Sequence, residues 1–252
     1  MRYFHVPLIH ISDDRVQISG GELHHLINVL RLREGDEITV LDGVGGVYEV
    51  ALVSCERDIA IGEIKVRKKI QKSLVEVTLF VGLPKADKMD MIVQKATELG
   101  AHRIVPVACQ YSVPRLSAER ESRRVERWRQ ISVGASKQSH RPFFPFISHF
   151  FDFNEALEDC RSDLRLIFTI GARAPERLKE VLRQNVRAKK VDIFIGPEGG
   201  FAEDEINRAL SAGLKPVSLG SNILRTETAA IAALTIVLYE KDYNSIKEPN
   251  DV

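Results

Sequence analysis

Two glycine-bearing stretches hold the residue types and spacing that could do chemistry. The first is Ile195-Gly196-Pro197-Glu198-Gly199-Gly200-Phe201, which follows an apolar run and precedes a helix expected from about Glu203. Three glycines let a ligand approach bare backbone, and Glu198 adds a carboxylate. The spacing is not the G-x-G-x-x-G of a dinucleotide site, and no G-x-x-x-x-G-K-[ST] phosphate loop occurs in the chain. Taken alone, this stretch also reads as an ordinary strand-to-helix turn. The second stretch runs from Leu219-Gly220-Ser221-Asn222 through Ile223-Leu224-Arg225 to Thr226-Glu227-Thr228-Ala229-Ala230. Thr226 is a candidate helix cap. Apolar Ile223 and Leu224 in a loop suit either a ligand with apolar parts, such as an adenine and an aliphatic chain, or a loop tucked into its own core.

The elements that must position these loops read as alternating strand and helix. Strands are expected at Leu74–Leu83, Arg103–Val107, Leu164–Ile170, Val191–Ile195 and Leu214–Leu219. Helices are expected at Asp87–Leu99, ended by Gly100 as a left-handed cap, at Ser117–Gln138, and at Thr226–Tyr239. That grammar implies a mostly parallel sheet covered on both faces, with ligands beyond the carboxyl ends of its strands. Before it, Arg15–Ile18, Glu37–Asp42, Gly46–Ser54 and Ile59–Arg67 read as short strands, with a hairpin at Gly43, Gly45 and Gly46. Ser19 and Glu22 form a capping-box pattern ahead of Leu23, Leu26, Ile27 and Leu30, which share one helical face. The basic run 67–73 reads as a linker. The expected division is therefore residues 1–72, a small β-barrel with one helix, and residues 73–252, an α/β domain. The tail from Asn244 is expected to fray.

Composition sets outer bounds. The 252 residues are 44% hydrophobic and 28% charged, as in a globular protein. The 36 basic and 35 acidic residues nearly cancel, so only a local patch argues for nucleic acid. Between positions 115 and 141 stand eight basic residues, Arg115, Arg120, Arg123, Arg124, Arg127, Arg129, Lys137 and Arg141, against Glu119, Glu121 and Glu126. This is either a phosphate-binding surface or a solvated helix face with internal ion pairs. Trp128 in the same helix is either a stacking platform or core. Cys55, Cys109 and Cys160 lack metal-ligand or disulfide spacing, and His24-His25 has no supporting cluster, so no metal is expected. No signal-peptide core or membrane-length apolar run is seen, which points to a cytoplasmic protein.

Together the two loops resemble the signature of the SPOUT superfamily, and within it the RsmE-type methyltransferases. His25-Leu26-Ile27-Asn28-Val29-Leu30-Arg31 with Gly35-Asp36, Lys85-Ala86-Asp87-Lys88-Met89-Asp90, Gln94–Gly100 and Gln138-Ser139-His140-Arg141 extend the resemblance over nearly the whole chain. It implies a PUA-like RNA-binding domain, then a SPOUT domain whose C-terminal chain forms a trefoil knot, and a homodimer. It implies S-adenosylmethionine-dependent methylation of N3 of a uridine in 16S ribosomal RNA, as part of rRNA processing in ribosome biogenesis, on free RNA or the small ribosomal subunit. The cofactor pocket would comprise Phe168, Thr169, Ile195, Gly196, Pro197, Gly199, Gly200, Ser218, Leu219, Gly220, Ile223, Leu224, Arg225, Thr226 and Ala229.

Uracil N3 carries a proton and attacks poorly until it leaves, so the site needs a proton acceptor or a cation favouring the anion. Arg225 is the candidate cation, or else an ion pair holding the knot. Glu198 is the candidate acceptor, or else structural. Arg2, Arg31, Lys85, Lys88, Arg115, Arg123, Arg127 and Arg141 are the candidate RNA contacts. Three departures from the family pattern stand out: Tyr111 in place of an arginine, Gly134 in place of a glutamate, and Phe168-Thr169-Ile170-Gly171 in the third pocket wall. The alternatives are a ribose 2′-O-methyltransferase of the same superfamily and a non-catalytic RNA-binding assembly factor.

Overall fold

A computed structural model describes residues 2–85, 87–112, 117–169 and 175–241. Arg115, Ile170, Gly171 and the tail from Asn244 lie outside them. Two compact units divide the chain: 1–72 with 133–144, and 73–132 with 145–252.

In the first unit, β1 (Tyr3–His5), β2 (Arg15–Ile18), β3 (Glu37–Leu41), β4 (Gly46–Cys55) and β5 (Ala60–Lys69) form one sheet in the order β1-β3-β4-β5-β2. Only β1 and β3 pair in parallel. The hairpin forms as its glycines predict. The Asp42 carboxylate accepts from Val44 N and Gly46 N, both at 2.8 Å, and from the Tyr48 hydroxyl at 3.1 Å. A Cβ at Gly46 would stand 2.1 Å from that carboxylate, so the turn needs glycine there.

Three expectations fail in this unit. The run 67–73 is not a linker throughout, because Arg67–Lys69 extend β5 against Gly46–Tyr48. The capping box does not form: Ser19 makes no side-chain cap, and Glu22 instead accepts from His5 N at 3.4 Å and Lys137 Nζ at 2.5 Å. Helix α1 (Gly20–His24) then widens into a π turn at His25–Val29. Finally, residues 133–144 belong here and not to the α/β domain. Phe144 N bonds Gly43 O, Gly45 N bonds Pro142 O, and Tyr3 stacks on His140 at 4.0 Å.

In the second unit, β6 (Glu76–Gly82), β7 (Arg103–Ala108), β8 (Phe146–Ile147), β9 (Phe151–Asp152), β10 (Leu164–Phe168), β11 (Glu176–Arg177), β12 (Lys190–Ile195) and β13 (Lys215–Ser218) form an eight-stranded sheet. The order is β11-β13-β10-β12-β6-β7-β8, with β9 also on β7, and every pair is parallel. Val191–Ile195 is buried at every residue, as parallel strands covered on both faces require. Its one charged member, Asp192, accepts from Ser162 N at 3.0 Å and Ser162 Oγ at 2.8 Å.

Six helices accompany this sheet: α2 (Lys88–Leu99), α3 (Ala118–Gln138), whose residues from 133 on belong to the first unit, α4 (Phe153–Asp159), α5 (Leu178–Gln184), α6 (Glu203–Ser211) and α7 (Thr226–Lys241). Gly100 ends α2 at φ 115°, the expected left-handed cap. Trp128 is core at 2% exposure, and its Nε1 donates to Asp90 at 3.0 Å. Helix α7 packs on α2, α5, β6 and β12 through Ala230, Ala233, Leu234 and Val237. The chain leaves β6 toward β7 on one side and later fills the other side through β10, β12 and β13. The carboxyl ends of adjacent β6 and β12 are thus a topological switch point, where ligands bind in open α/β sheets.

Candidate active site

The register brings Val81 of β6 beside Ile195 of β12, so the segments after both strands emerge together. Gly82 makes this possible: a Cβ there would meet Pro197 Cδ at 2.5 Å and Pro197 N at 2.7 Å. Pro197 is buried against it. Gly200 N closes a turn on Pro197 O at 2.9 Å with Gly200 at φ 72°, a conformation that favours glycine. Gly196 lies close under Gly200 and Phe201, and a Cβ at Gly199 would stand 2.8 Å from Tyr111 Cβ. Tyr111 therefore backs the glycine loop where the resemblance leads one to expect an arginine.

Glu198 points back across the switch point. Its carboxylate accepts from Lys85 N at 3.1 and 3.2 Å and from Lys88 Nζ at 2.8 Å. Burial pushes its pKa up, but the Lys88 ammonium and the Lys85 backbone N–H outweigh that and hold it below the usual carboxylate range. A carboxylate so occupied is a poor base, so the geometry speaks against a direct proton role. Lys88 also lies 3.6 Å from Glu227 Oε2, at the start of α7.

The second loop is differently made. Ser218 Oγ donates to Gly220 O at 2.9 Å and accepts from Gly220 N at 3.1 Å, with Gly220 at φ 126°. Leu219 is half-buried against the core, Leu224 is half-buried, and Ile223 is 77% exposed. Arg225 is exposed and pairs with no acidic residue among those described, so the ion pair envisaged for it is not found there. Thr226 does not cap α7. It is the first helical residue, Ala229 N bonds Arg225 O at 2.8 Å, and the buried Thr226 Oγ1 has no partner. Phe168 ends β10 and Thr169 follows it, and the buried Thr169 Oγ1 is likewise unpartnered. A cleft of about 410 Å³ opens beside Ser218–Gly220, between Pro175–Lys179 and Ile236. It touches only the second loop, whereas the strand-end geometry concerns both.

The candidate RNA contacts divide. Arg123 pairs with Glu119 at 2.7 Å, and Arg127 forks onto Asp90 at 2.5 and 2.9 Å. Much of the apparent basic patch is therefore internally paired. Arg141 is half-buried, and burial lowers its pKa to about 10. Arg2, Arg31 and Lys85 are exposed, as is Arg120, and Arg31 holds a left-handed φ of 54°.

The sequence reading missed Glu205. It is 2% exposed and accepts from Ala202 N at 2.9 Å and Gln110 N at 2.8 Å, fastening the turn before Tyr111 to the end of the glycine loop. A signal was present: Ala202, Glu205 and Ala209 share the inward face of α6. Among the described residues no group of acidic, histidine or cysteine side chains could hold a metal, and no helix is long and apolar enough to cross a membrane.

Fold and site define a two-unit α/β protein whose candidate ligand site lies at the carboxyl ends of a parallel sheet. The RNA methyltransferase domain family matches residues 71–238, and the RNA methyltransferase PUA domain matches residues 18–65. The chain is 30% identical over 230 residues to a Bacillus subtilis protein named Ribosomal RNA small subunit methyltransferase E, covering 89% of this chain and 90% of that one. It is 33% identical over 229 residues to the Synechocystis protein of the same name, covering 89% and 73%. The structure of a Neisseria gonorrhoeae Ribosomal RNA small subunit methyltransferase E bound to S-adenosyl methionine superposes with TM-score 0.85 at 31% identity, over 96% of this chain and 98% of that one. The chain belongs to the RNA methyltransferase family.

Proposed function

We propose that this protein transfers a methyl group from S-adenosylmethionine to N3 of a uridine in the 16S RNA of the small ribosomal subunit. The observation that carries this reading is similarity over nine-tenths of the chain to small-subunit RNA methyltransferases, one of them holding S-adenosyl methionine. The residues fit that group. Thr169 Oγ1 and Thr226 Oγ1 are unpartnered polar atoms at two of the loops, and the glycine loop offers bare backbone at the third. When bound, the donor supplies an electrophilic methyl group.

The chain's own residues then have distinct tasks. The segments 168–169, 195–200 and 218–226 hold the donor, with Leu219, Ile223 and Leu224 against its apolar parts. Arg225, without an acidic partner among the described residues, stabilises the uracil anion left when the N3 proton passes to solvent water. Orientation supplies the rest, because in-line attack tolerates little misplacement. Exposed Arg2, Arg31, Lys85 and Arg120 meet RNA phosphates, which makes binding salt-dependent. The chain acts in the cytoplasm as a homodimer with a knotted C-terminal segment. Helix α7 supports the dimer: Thr228, Thr235, Ile236 and Tyr239 form an exposed stripe without charge.

Nucleoside mass spectrometry of 16S RNA from cells lacking the gene, before and after treatment with the pure protein, tests the reading. Appearance of 3-methyluridine is expected. A methyl group on ribose, or none, overturns it.

A further inference from the structure

Three segments far apart in sequence meet at one ammonium group. Lys88 opens α2, Glu198 sits in the glycine loop after β12, and Glu227 lies in the first turn of α7. Lys88 Nζ stands 2.8 Å from Glu198 and 3.6 Å from Glu227. The three side chains are 30%, 28% and 14% exposed, so solvent screens them less than a surface pair. Glu227 Oε2 is buried and has no hydrogen-bond partner, leaving this ammonium as its compensating charge. Two carboxylates and one ammonium leave the cluster with one excess negative charge. Without Lys88 the carboxylates would face each other uncompensated, which drives their segments apart.

Lys88 is one of the basic residues that a family resemblance would send to RNA. The geometry points elsewhere, and we propose that Lys88 is a positioning residue: through Glu198 and Glu227 it locks the glycine loop to the start of α7, and so sets the affinity for the methyl donor. This rests on the proposed use of the site by that donor. The two loops that would enclose it are joined here by no other side-chain ion pair among the described residues. Pre-forming them lowers the ordering cost of binding. The lock touches neither uracil nor the transferred methyl, so its loss falls on donor affinity and not on the chemical step.

Lys88→Met keeps the aliphatic stem and removes the charge. Calorimetry with S-adenosylmethionine should show Kd raised about tenfold, and turnover should show the donor KM raised similarly with kcat within about threefold. Amide hydrogen exchange without ligand should quicken at 196–200 and 226–229. Lys88→Arg should restore most of each. In the Lys88→Met background, Glu227→Gln should recover part of the affinity, because it removes the repulsion. Unchanged donor affinity with weaker, less salt-dependent RNA binding overturns the proposal in favour of a phosphate contact. Loss of kcat at unchanged donor affinity also overturns it. If Lys88→Met does not fold, Glu227→Gln alone should raise Kd about threefold and quicken the same amides, and no change in either sinks the idea. A wild-type chain that binds no donor would overturn the reading of the site, while ligand-free exchange would still decide the lock.

Discussion

The two loops of the site are built on opposite plans. The segment 195–201 is fastened from several directions: Pro197 against Gly82, Glu198 to Lys85 and Lys88, and Glu205 bridging Ala202 to Gln110. The segment 219–225 has a local Ser218–Gly220 turn at its start and the first bond of α7 at its end, with Ser221, Asn222, Ile223 and Arg225 exposed between. Buried polar anchors fix a loop because breaking any one leaves an unsatisfied group behind. A loop without them is free to close over a ligand and pays in ordering when it does. On the proposed use of the site, the difference makes the first loop a template and the second a cover.

The largest effect should come from the buried anchor. Glu205→Ala leaves two backbone donors unsatisfied and should cost about 3 kcal/mol of unfolding free energy, read from the urea midpoint. Glu205→Gln keeps an acceptor and should cost less. A loss from Glu205→Ala below about 1 kcal/mol would break the contrast. Arg225→Ala probes the other loop. Here kcat should fall about a hundredfold while stability stays within about 0.5 kcal/mol, because an exposed side chain without an acidic partner among the described residues holds little together. A large drop in melting temperature would show that the cover, too, is an anchor. Gly82→Ala comes next. The new Cβ would meet Pro197 backbone, which cannot swing aside, so about 2 kcal/mol of stability should go, with weaker donor binding alongside it.

How much of this was legible in the sequence follows from the same contrast. The strands and helices were readable because their signals are local: the apolar runs Val77–Val81 and Val191–Ile195, and Gly100 at a helix end. Both loops were readable as glycine patterns at strand ends. Their fastenings were not. Glu198 reaches Lys85 and Lys88 over more than a hundred residues, and only the β6–β12 register makes them neighbours. Glu22 looked like half of a capping box because the pattern cannot reveal that Lys137 competes for its carboxylate. For Arg123 and Arg127 the sequence left RNA contact and internal ion pairs both open; Glu119 was in the charge count, but a count cannot show that Arg127 reaches Asp90 of α2. The segment 133–144 joined the wrong domain in the sequence reading because its ties to Gly43 and Gly45 are backbone bonds, which no side-chain pattern encodes.

The smallest effect separates the loops by pH. In the folded chain Glu198 has its pKa held below the usual value, burial being outweighed by Lys88 and the Lys85 N–H. A carboxylate with a depressed folded pKa stabilises fully above its unfolded value of about 4.3 and loses that contribution as pH falls through the lower folded value. The cover carries no carboxylate between Leu219 and Arg225. Acid should therefore loosen the template before the cover. Hydrogen exchange at pH 3 and pH 6, corrected for intrinsic rates, should show protection lost at 196–201 and unchanged at 219–225. The contribution should be about 0.5 kcal/mol, since the carboxylate is partly screened by solvent. Glu198→Gln should remove the pH dependence, because an amide keeps its acceptor oxygen without a charge to lose. Equal acid sensitivity in both segments would mean that 219–225 opens with the template, although the Lys88 lock reaches only Glu227 beyond it, and would break the contrast.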